Sequence, residues 1–269
     1  MTGLRWRAAI VSALLGIASA GIAQQDSPAP QSAGSTEQSG SRETLDYAVE
    51  WRLIPAGTAK LTWTPLGTAP ANGGAPAASE VQLHLESTGL VSRLFRVNDD
   101  YTAMLGQNFC GQSTFMAAHE GNRSRETRVT YDQLERKVHY TERDLIKNST
   151  TTHEVDIPAC THDVLGGLMV LRMLRIEPGK SVQIPISDGK KVAQVKIESQ
   201  RREEINTPTG MQKTIRYEIF LFDNVLYKRS AHMHIWLTDD NLRLPVQLQV
   251  HLQFAIGTIT FKLAKQEKS

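Results

Sequence analysis

Apolar and polar residues alternate near the end of the chain, and this pattern predicts a long β-hairpin between His232 and Phe254. The hairpin is expected to turn at Asp239-Asp240-Asn241. Its apolar face carries Met233, Ile235, Leu237, Val246, Leu248, Val250 and Leu252, whereas histidine, tryptophan and glutamine occupy the other face. Because an antiparallel sheet of this kind buries one face only, whatever covers the apolar face bears directly on function.

Shorter alternating runs fill most of the chain and predict a mainly β fold, a β-rich member of the α+β class. Turn-rich sequence separates the runs, including a break at Ile54-Pro-Ala and the favoured hairpin dipeptide Asp188-Gly189. The predicted strands span residues 45–51, 57–63, 81–86, 100–105, 113–120, 125–131, 137–142, 151–157, 181–186, 191–198, 211–222 and 257–263.

One apolar segment, residues 161–175, departs from the strand pattern and predicts the principal helix. Thr161 is positioned to cap its start, and a broad apolar stripe predicts burial against the sheet. Gly166 and Gly167 each cost about 1 kcal/mol inside a helix. Close packing on the sheet is the favoured reason for them, and approach of a ligand is the alternative.

The predicted sheet is too wide for one helix to cover. Ten or more strands about 4.8 Å apart span roughly 50 Å, whereas a helix is about 10–12 Å across. The sheet is therefore expected to curve into a half-barrel or barrel, and its interior is either packed with side chains or left as an apolar cavity. In the second case, the predicted ligand-binding residues are Met233, Ile235, Leu237, Leu248, Val250, Leu168 and Leu171.

The amino terminus predicts export. Arg5 and Arg7 precede a short apolar run, and small residues follow at Ala20 and Ala23, which is the layout of a cleavable signal peptide. Cleavage is expected after one of these two alanines. The apolar run is too short to span a bilayer, and no later segment is long enough, so no transmembrane span is predicted after cleavage.

Three regions are therefore predicted: a signal peptide at residues 1–23, a leader at residues 24–43 and a single β-rich domain at residues 44–265. The leader is rich in Gln, Ser, Pro, Gly and Ala, with almost no large apolar residue, and is expected to be flexible. The predicted location is the periplasm or the exterior of the cell.

Charge and cysteine content exclude some classes of partner and cofactor. Removal of Arg5 and Arg7 with the signal leaves 28 basic against 28 acidic side chains, which argues against a nucleic-acid binder. The two cysteines, Cys110 and Cys160, predict one structural disulfide in an oxidising compartment. A redox pair or a metal site is disfavoured because neither Cys-x-x-Cys nor clustered Cys/His spacing occurs.

No catalytic residue and no cofactor are predicted, because the chain lacks a nucleophile motif and a phosphate-binding glycine loop. Asp239 and Asp240 are attributed to turn geometry. A zinc site is a weaker hypothesis: His232 and His234 share a strand face, and His251 lies opposite His232 if the turn centres on Asn241-Leu242. No carboxylate or cysteine completes that set, and the face otherwise resembles a solvated surface.

Five motifs in order resemble the bacterial family called domain of unknown function 3108. They are Leu45-x-Tyr-x-Val-x-Trp with Ile54-Pro-Ala-Gly57, Asp163-Val-Leu before Leu171-Arg172, Thr207-Pro-x-Gly210, Ile235-Trp-Leu-Thr-Asp-Asp240 and Leu244-Pro-Val246. The resemblance covers roughly residues 44–265; the loop from Gly67 to Ser79 and the cysteine pair depart from it. It implies an exported protein with a curved antiparallel sheet plus helix, similar in outline to half-barrel carriers of lipoproteins, and it identifies no catalytic or binding residue.

These observations favour a non-enzymatic exported protein that binds an apolar or lipid-like ligand in maintenance of the cell envelope. A second hypothesis is a protein-interaction module that docks onto an envelope assembly through sheet edges or the hairpin tip. A third is a hydrolase whose site is assembled from distant strands.

Overall fold

The structure, a computed structural model, describes residues 41–66, 78–252 and 257–269. The predicted signal peptide, almost all of the leader and most of the 67–79 loop lie outside the described residues. The strands are β1 (Glu43–Trp51), β2 (Ile54–Pro65), β3 (Ser79–Ser87), β4 (Val97–Leu105), β5 (Gly111–Glu120), β6 (Arg123–Asp132), β7 (Lys137–Asp144), β8 (Ser149–Asp156), β9 (Ser181–Ser187), β10 (Val192–Thr207), β11 (Gly210–Ile219), β12 (Ala231–Thr238), β13 (Pro245–Leu252) and β14 (Gly257–Lys268). The helices are α1 (Gly89–Leu94) and α2 (Val164–Met173), with a 3₁₀ turn at Gln107–Phe109.

All of these strands join one curved, unclosed antiparallel sheet, which confirms the predicted fold class. Its order is β8-β7-β6-β5-β4-β3-β2-β1-β14-β13-β12-β11-β10-β9. The first and last strands along the described chain, β1 and β14, therefore pair with each other near the middle of the sheet, from Glu43 with Lys268 to Trp51 with Ile259. Two meanders leave this central pair in opposite directions, and the segment between β8 and β9 joins their far ends.

Two hydrophobic clusters show how far the sheet curves. The larger lies on the concave face and includes residues of α2 and of strands from both meanders. In the smaller, Tyr131 and Tyr140 of β6 and β7 pack with Val192 of β10. Tyr131 also donates a hydrogen bond to the Ser187 carbonyl of β9 at 3.2 Å. The two ends of the sheet thus approach through side chains without joining their backbones into a ladder.

The principal helix is shorter than predicted. Residues 161–163 are not helical, because His162 pairs with Ile186 of β9 and Thr161 donates its hydroxyl to the Pro158 carbonyl instead of capping the helix. The N-cap is Asp163, whose carboxylate accepts from the Leu165 and Gly166 amides. At the other end, Leu174 is already extended, so the helix ends at Met173.

Three further differences from the sequence prediction concern short segments. Ile54-Pro-Ala is not a break but the start of β2, since the turn is made by Arg52 and Leu53 with positive φ angles of 50° and 68°. Helix α1 was not predicted. The first strand begins at Glu43, within the segment assigned to the leader, and the neighbouring Arg42 exchanges backbone hydrogen bonds with Ser269.

The two glycines of α2 allow close packing, which is the explanation that the sequence favoured over approach of a ligand. A Cβ at Gly166 would lie 2.8 Å from the Phe109 carbonyl oxygen, and one at Gly167 would lie 2.9 Å from the Ile186 side chain. Both distances are shorter than real Cβ contacts allow. At Gly166 the obstacle is backbone, so a larger residue there would prevent the helix from sitting this deep, whereas at Gly167 the end of the Ile186 side chain would have to shift.

The predicted disulfide between Cys110 and Cys160 is confirmed. It joins the end of the β4–β5 connection to the residues that lead into α2. The Gly111 amide reinforces this junction by donating to the Thr161 carbonyl at 2.9 Å. The segment that crosses between the two meanders is thereby fixed to the sheet before the helix begins. Within the described part of the chain, no helix has the length and apolar character needed to cross a membrane.

Removal of the disulfide by Cys110→Ser with Cys160→Ser is expected to lower the free energy of unfolding by about 4 kcal/mol, because the bond closes a long loop in the unfolded chain. Urea denaturation of the oxidised protein and of the double variant measures the difference. Reductant should destabilise the parent protein and leave the variant unchanged. Equal stability of the parent with and without reductant would contradict the prediction.

Candidate functional site: an apolar cavity within the curved sheet

A cavity of about 250 Å³ lies between the concave face of the sheet and α2 and is partly open to solvent. Its lining is almost entirely apolar. Strand register explains this composition, because inward-facing positions lie side by side across neighbouring strands: Leu83 pairs with Leu61, and Leu248 pairs with Ile235 and Phe261. The alternation seen in the sequence therefore becomes a continuous apolar wall.

Several of the lining side chains remain only half-buried although they point into the interior. They are Trp51, Leu83, Leu85, Tyr101, Leu168, Met233, Leu248, Val250 and Phe261. Apolar side chains on the inner face of a sheet normally bury fully against a partner. Here part of their surface faces the cavity, so the interior is not packed solid.

Helix α2 closes one end of the cavity, which we call the closed end. Arg172 of the helix forms a 2.6 Å ion pair with Glu43 at the start of β1 and donates to the Leu242 and Arg243 carbonyls at 3.2 Å each. Arg243, only 4% exposed, donates in turn to the Tyr217 hydroxyl at 2.7 Å. Charged side chains thus tie the helix to both meanders at this end.

The other end of the cavity, which we call the mouth, lies beside the β1–β2 turn and α1. Val91 of α1 lines the cavity, and the Thr88 amide before the helix donates to the Ala56 carbonyl of β2 at 2.9 Å. Around it, large apolar side chains face solvent: Leu53, Leu90 and Leu94 are 84%, 61% and 65% exposed. Exposed apolar groups next to a cavity are a feature of binding surfaces.

Six of the seven residues predicted from the sequence to bind a ligand line this cavity: Met233, Ile235, Leu248, Val250, Leu168 and Leu171. The seventh, Leu237, is completely buried and is not among the lining residues. It belongs to the same strand face but lies toward the closed end, opposite Ile215 and Pro245. Ligand binding by the six remains a prediction.

The three histidines of the zinc hypothesis do not form a metal-binding group. His232 lies opposite His251, as the predicted register requires. However, His251 shares a 2.8 Å hydrogen bond with the Thr258 hydroxyl, whereas His232 lies 3.0 Å from Glu218. Among the described residues, no three or more His, Cys, Asp or Glu side chains are placed to hold a metal ion.

The hairpin tip has a structural role. The Asp240 carboxylate accepts from the Leu242 and Arg243 amides at 3.0 Å and from the Thr238 hydroxyl at 2.7 Å. Asp239 pairs with Arg202 at 2.9 Å. The bonds of Asp240 are those of an Asx-type turn, in agreement with the turn role assigned from the sequence, whereas Asp239 forms an ion pair with β10.

Most polar groups of the lining are satisfied by neighbours. The Tyr47 hydroxyl donates to the Pro245 carbonyl at 2.8 Å, and the Tyr101 hydroxyl donates to Asp163 at 3.0 Å. The Ser87 hydroxyl accepts from the Val97 amide at 2.8 Å. Burial raises the pKa of Tyr47 and of Tyr101, so both hydroxyls are neutral hydrogen-bond donors at physiological pH.

Asp99 is the exception within the lining. It is 5% exposed, and its Oδ1 accepts from the His119 amide at 2.8 Å, whereas its Oδ2 has no hydrogen-bond partner among the described residues. Burial, followed by the nearby Glu120 carboxylate, raises the pKa of Asp99 to about 7. The apolar cavity is therefore lined by one buried carboxyl group that titrates near neutral pH.

Some parts of the site were not predicted from the sequence: Asp99, Trp51, Leu83, Leu85 and α1. For Asp99 the sequence did contain an indication. Every second residue of β4 faces inward, and these residues are apolar apart from Asp99: Val97, Asp99, Tyr101, Ala103 and Leu105. A carboxyl in a buried phase indicates a special environment. Helix α1 has only six residues and gives no readable helical period.

Comparison with solved structures supports the fold. The chain is similar to the crystal structure of a β-barrel-like protein of domain of unknown function DUF1849 from Brucella abortus, with a TM-score of 0.52 and 10% sequence identity. The alignment covers 85% of this chain and 98% of that one. At this identity the likeness concerns the fold alone. No curated protein matches the chain.

Comparison with family models tests the resemblance drawn from the five sequence motifs. One family, described as "Protein of unknown function (DUF3108)", matches residues 46–264. The match includes both meanders, α2 and every described residue that lines the cavity. The chain therefore belongs to the DUF3108 family.

Proposed function

We propose that this protein is an exported, non-enzymatic binding protein that holds a lipid-like or other apolar ligand in the cavity, in the service of the cell envelope. The observation that carries the proposal is the inner wall of half-buried apolar side chains around a cavity of about 250 Å³. Sites for small apolar ligands are concave, largely preformed and lined by such side chains.

Export is part of the proposal. It is supported by the signal-like residues 1–23, which would be removed, and by the Cys110–Cys160 bond, since disulfides persist in oxidising compartments such as the periplasm. The leader would then end where β1 begins at Glu43 and lead into a single domain whose sheet includes β14 up to Lys268.

The mouth suggests how a ligand with low aqueous solubility would enter. Leu53, Leu90 and Leu94 are exposed beside the opening, and Val91 of the same short helix faces the interior. Together they provide apolar surface outside and inside the entrance. A ligand leaving a membrane or a lipoprotein could therefore remain in apolar contact while it moves into the cavity.

The protein-interaction alternative is supported by one feature. Strand β8 ends the sheet, so one side of its backbone has no paired strand among the described residues, and its side chains are almost all exposed. An added strand from a partner could pair there. The substitution Thr151→Pro should disrupt pairing at this strand edge. Under the interaction alternative it should abolish partner capture, and under the main proposal it should leave ligand content unchanged.

The hydrolase alternative gains no comparable support from the described lining. Ser87 is the lining serine, and its hydroxyl is bonded to the Val97 backbone. No histidine belongs to the lining that the structure describes, and the hydroxyl is bonded to the Val97 backbone rather than to the lining carboxylates Glu86 and Asp99, so no nucleophile–base pair is formed there.

Native mass spectrometry of protein purified from its own host tests the main proposal directly. A mass excess that organic extraction removes, and that is identified as a lipid or another apolar molecule, is the expected result. Protein that is consistently free of such a molecule, and that also fails to bind the fluorescent apolar probe N-phenylnaphthylamine, would overturn the proposal.

Filling the cavity should abolish binding. Leu83→Trp with Leu248→Trp introduces two large rings from opposite walls, and we expect probe affinity to fall by at least about tenfold, or about 1.4 kcal/mol. Fluorescence titration with N-phenylnaphthylamine measures this. Leu134→Trp, on an exposed turn outside the cavity, is the matched control and should bind like the parent. Parent-like binding by the filled variant would contradict a site in the cavity.

Making the mouth polar should slow ligand transfer. Leu90→Ser with Leu94→Ser removes exposed apolar surface while leaving the lining intact, so uptake of the probe from phospholipid vesicles should slow by about tenfold. Affinity for probe delivered from solution should not change. Stopped-flow fluorescence separates the two quantities, and Leu134→Ser is the control. An equal effect of the control would show that the mouth has no special part in entry.

A further inference from the structure

Asp99 is a polar group placed where an apolar ligand alone would not require one. It lies on β4, and its side chain shares the inward face with Tyr101. In register it lies between Leu85 of β3 and Ala118 of β5, so its nearest cross-strand neighbours are apolar. Burial of a carboxyl without a full set of hydrogen bonds is costly, and such groups concentrate at functional sites.

The neighbours of Asp99 leave one oxygen for an external partner. The His119 amide occupies Oδ1, and Oδ2 is buried with no hydrogen-bond partner among the described residues. The other polar side chains of the lining differ from it: Tyr47, Tyr101 and Ser87 are bonded to protein groups, and Glu86 is exposed. Within the described lining, Asp99 alone has a buried side-chain oxygen with no hydrogen-bond partner among the described residues.

The charges around Asp99 restrict what that partner can be. The negative charges of Glu120 and Asp100 raise the pKa of Asp99, whereas the positive charge of Arg125 lowers it. The Arg125 guanidinium is engaged by Glu120 at 2.9 Å and lies 3.6 Å from Glu142. An anionic head group at Asp99 would therefore meet like charge in a desolvated setting, whereas a hydroxyl or an ammonium would donate to the waiting oxygen.

We propose that Asp99 is the specificity-determining residue of the cavity, and that it accepts a hydrogen bond from the hydroxyl or amine of an amphipathic ligand and discriminates against carboxylates and phosphates. This inference rests on the proposed binding function and specifies its ligand class. The ligand would place its apolar body along the inner wall and its donor at Oδ2. Tyr101, which is committed to Asp163, would flank the polar end.

Three probes with the same chain and different heads test the proposal: dodecylamine, dodecanol and dodecanoate, each displacing N-phenylnaphthylamine from the intact chain at pH 8. The amine and the alcohol should bind the parent about tenfold more tightly than the carboxylate. In Asp99→Leu that preference should disappear, through weaker binding of the amine and alcohol and equal or tighter binding of dodecanoate.

Asp100→Asn is the matched control. Asp100 is the next residue on the same strand, but it is exposed and shares a 2.8 Å contact with His84 on the outer face. Its removal should leave the ranking of the probes unchanged. Loss of ranking in Asp100→Asn to the same extent as in Asp99→Leu would overturn the assignment of specificity to Asp99.

The outcomes separate this inference from the function on which it rests. Failure of all three probes and of N-phenylnaphthylamine to bind the parent overturns both. Tight binding without a preference among the three heads, or a preference that persists in Asp99→Leu, overturns the role of Asp99 and leaves the binding function standing.

Stability measurements on Asp99→Leu and Asp99→Asn show whether each variant is folded, and the second variant tests the charge state of the carboxyl. The pKa of Asp99 is raised to about 7, so in the native state it binds a proton that the unfolded chain has already released above about pH 4. Stability is therefore favoured at low pH and falls as pH rises from about 4 to 7. Asp99→Asn should be at least as stable as the parent at pH 8 and should lack this decline. A parent and variant with parallel stability profiles would show that the carboxyl is ordinary and would remove the basis for the proposal.

Discussion

The structure depends on a mismatch between the apolar face of a wide sheet and the small helix available to cover it. Helix α2 has ten residues, whereas the described sheet on which it packs has fourteen strands. The apolar face can escape water only if the sheet curves until its own two halves cover it. Curvature brings Tyr131 and Val192 together from distant strands, yet the edges do not form a common ladder. The interior that remains is apolar because nearly every inward position is apolar, with Asp99 as the buried exception, and it is partly empty because one helix cannot fill it.

The crossing segment determines where that empty space lies. The disulfide at Cys160 fixes its start, Asp163 caps the helix and accepts from Tyr101, and Arg172 holds its end against Glu43. These contacts join α2 to the β1–β8 meander, and the bonds that Arg172 donates to the Leu242 and Arg243 carbonyls join it to the other meander. The helix is therefore held at the closed end, and the cavity remains on the side of the mouth. Burial of an ion pair such as Arg172–Glu43 is seldom favoured for stability alone, and here it fixes position.

The sequence predicted most of the sheet because alternation is a local property. Each strand of the two-faced hairpin could be read from its own residues, and the pairing of His232 with His251 followed from the turn. The ends of α2 could not be read locally, because Thr161 and Asp163 are both good caps and the choice between them depends on contacts to Pro158 and Ile186.

The candidate site was only partly predictable for the same reason. The apolar face of the hairpin was evident, but which of its residues meet the cavity depends on where α2 sits, so Leu237 was grouped with Ile235 although it lies at the closed end. Asp99 was overlooked because a carboxyl next to Asp100 resembles a turn until its register with Ala118 is known.

The pairing of β1 with β14 at the centre of the sheet has a consequence for the order in which the protein can acquire its shape. Val49 and Phe261 face each other across this seam and both line the cavity, yet they are separated by most of the chain. Contacts between such distant residues form late, because the loop between them must first be ordered. If the amino-terminal end of the chain crosses a membrane first, the edge of β1 would therefore have no partner until β14 has also crossed. The cavity is a property of the finished chain, and a ligand could not be enclosed before the last strand has paired with the first.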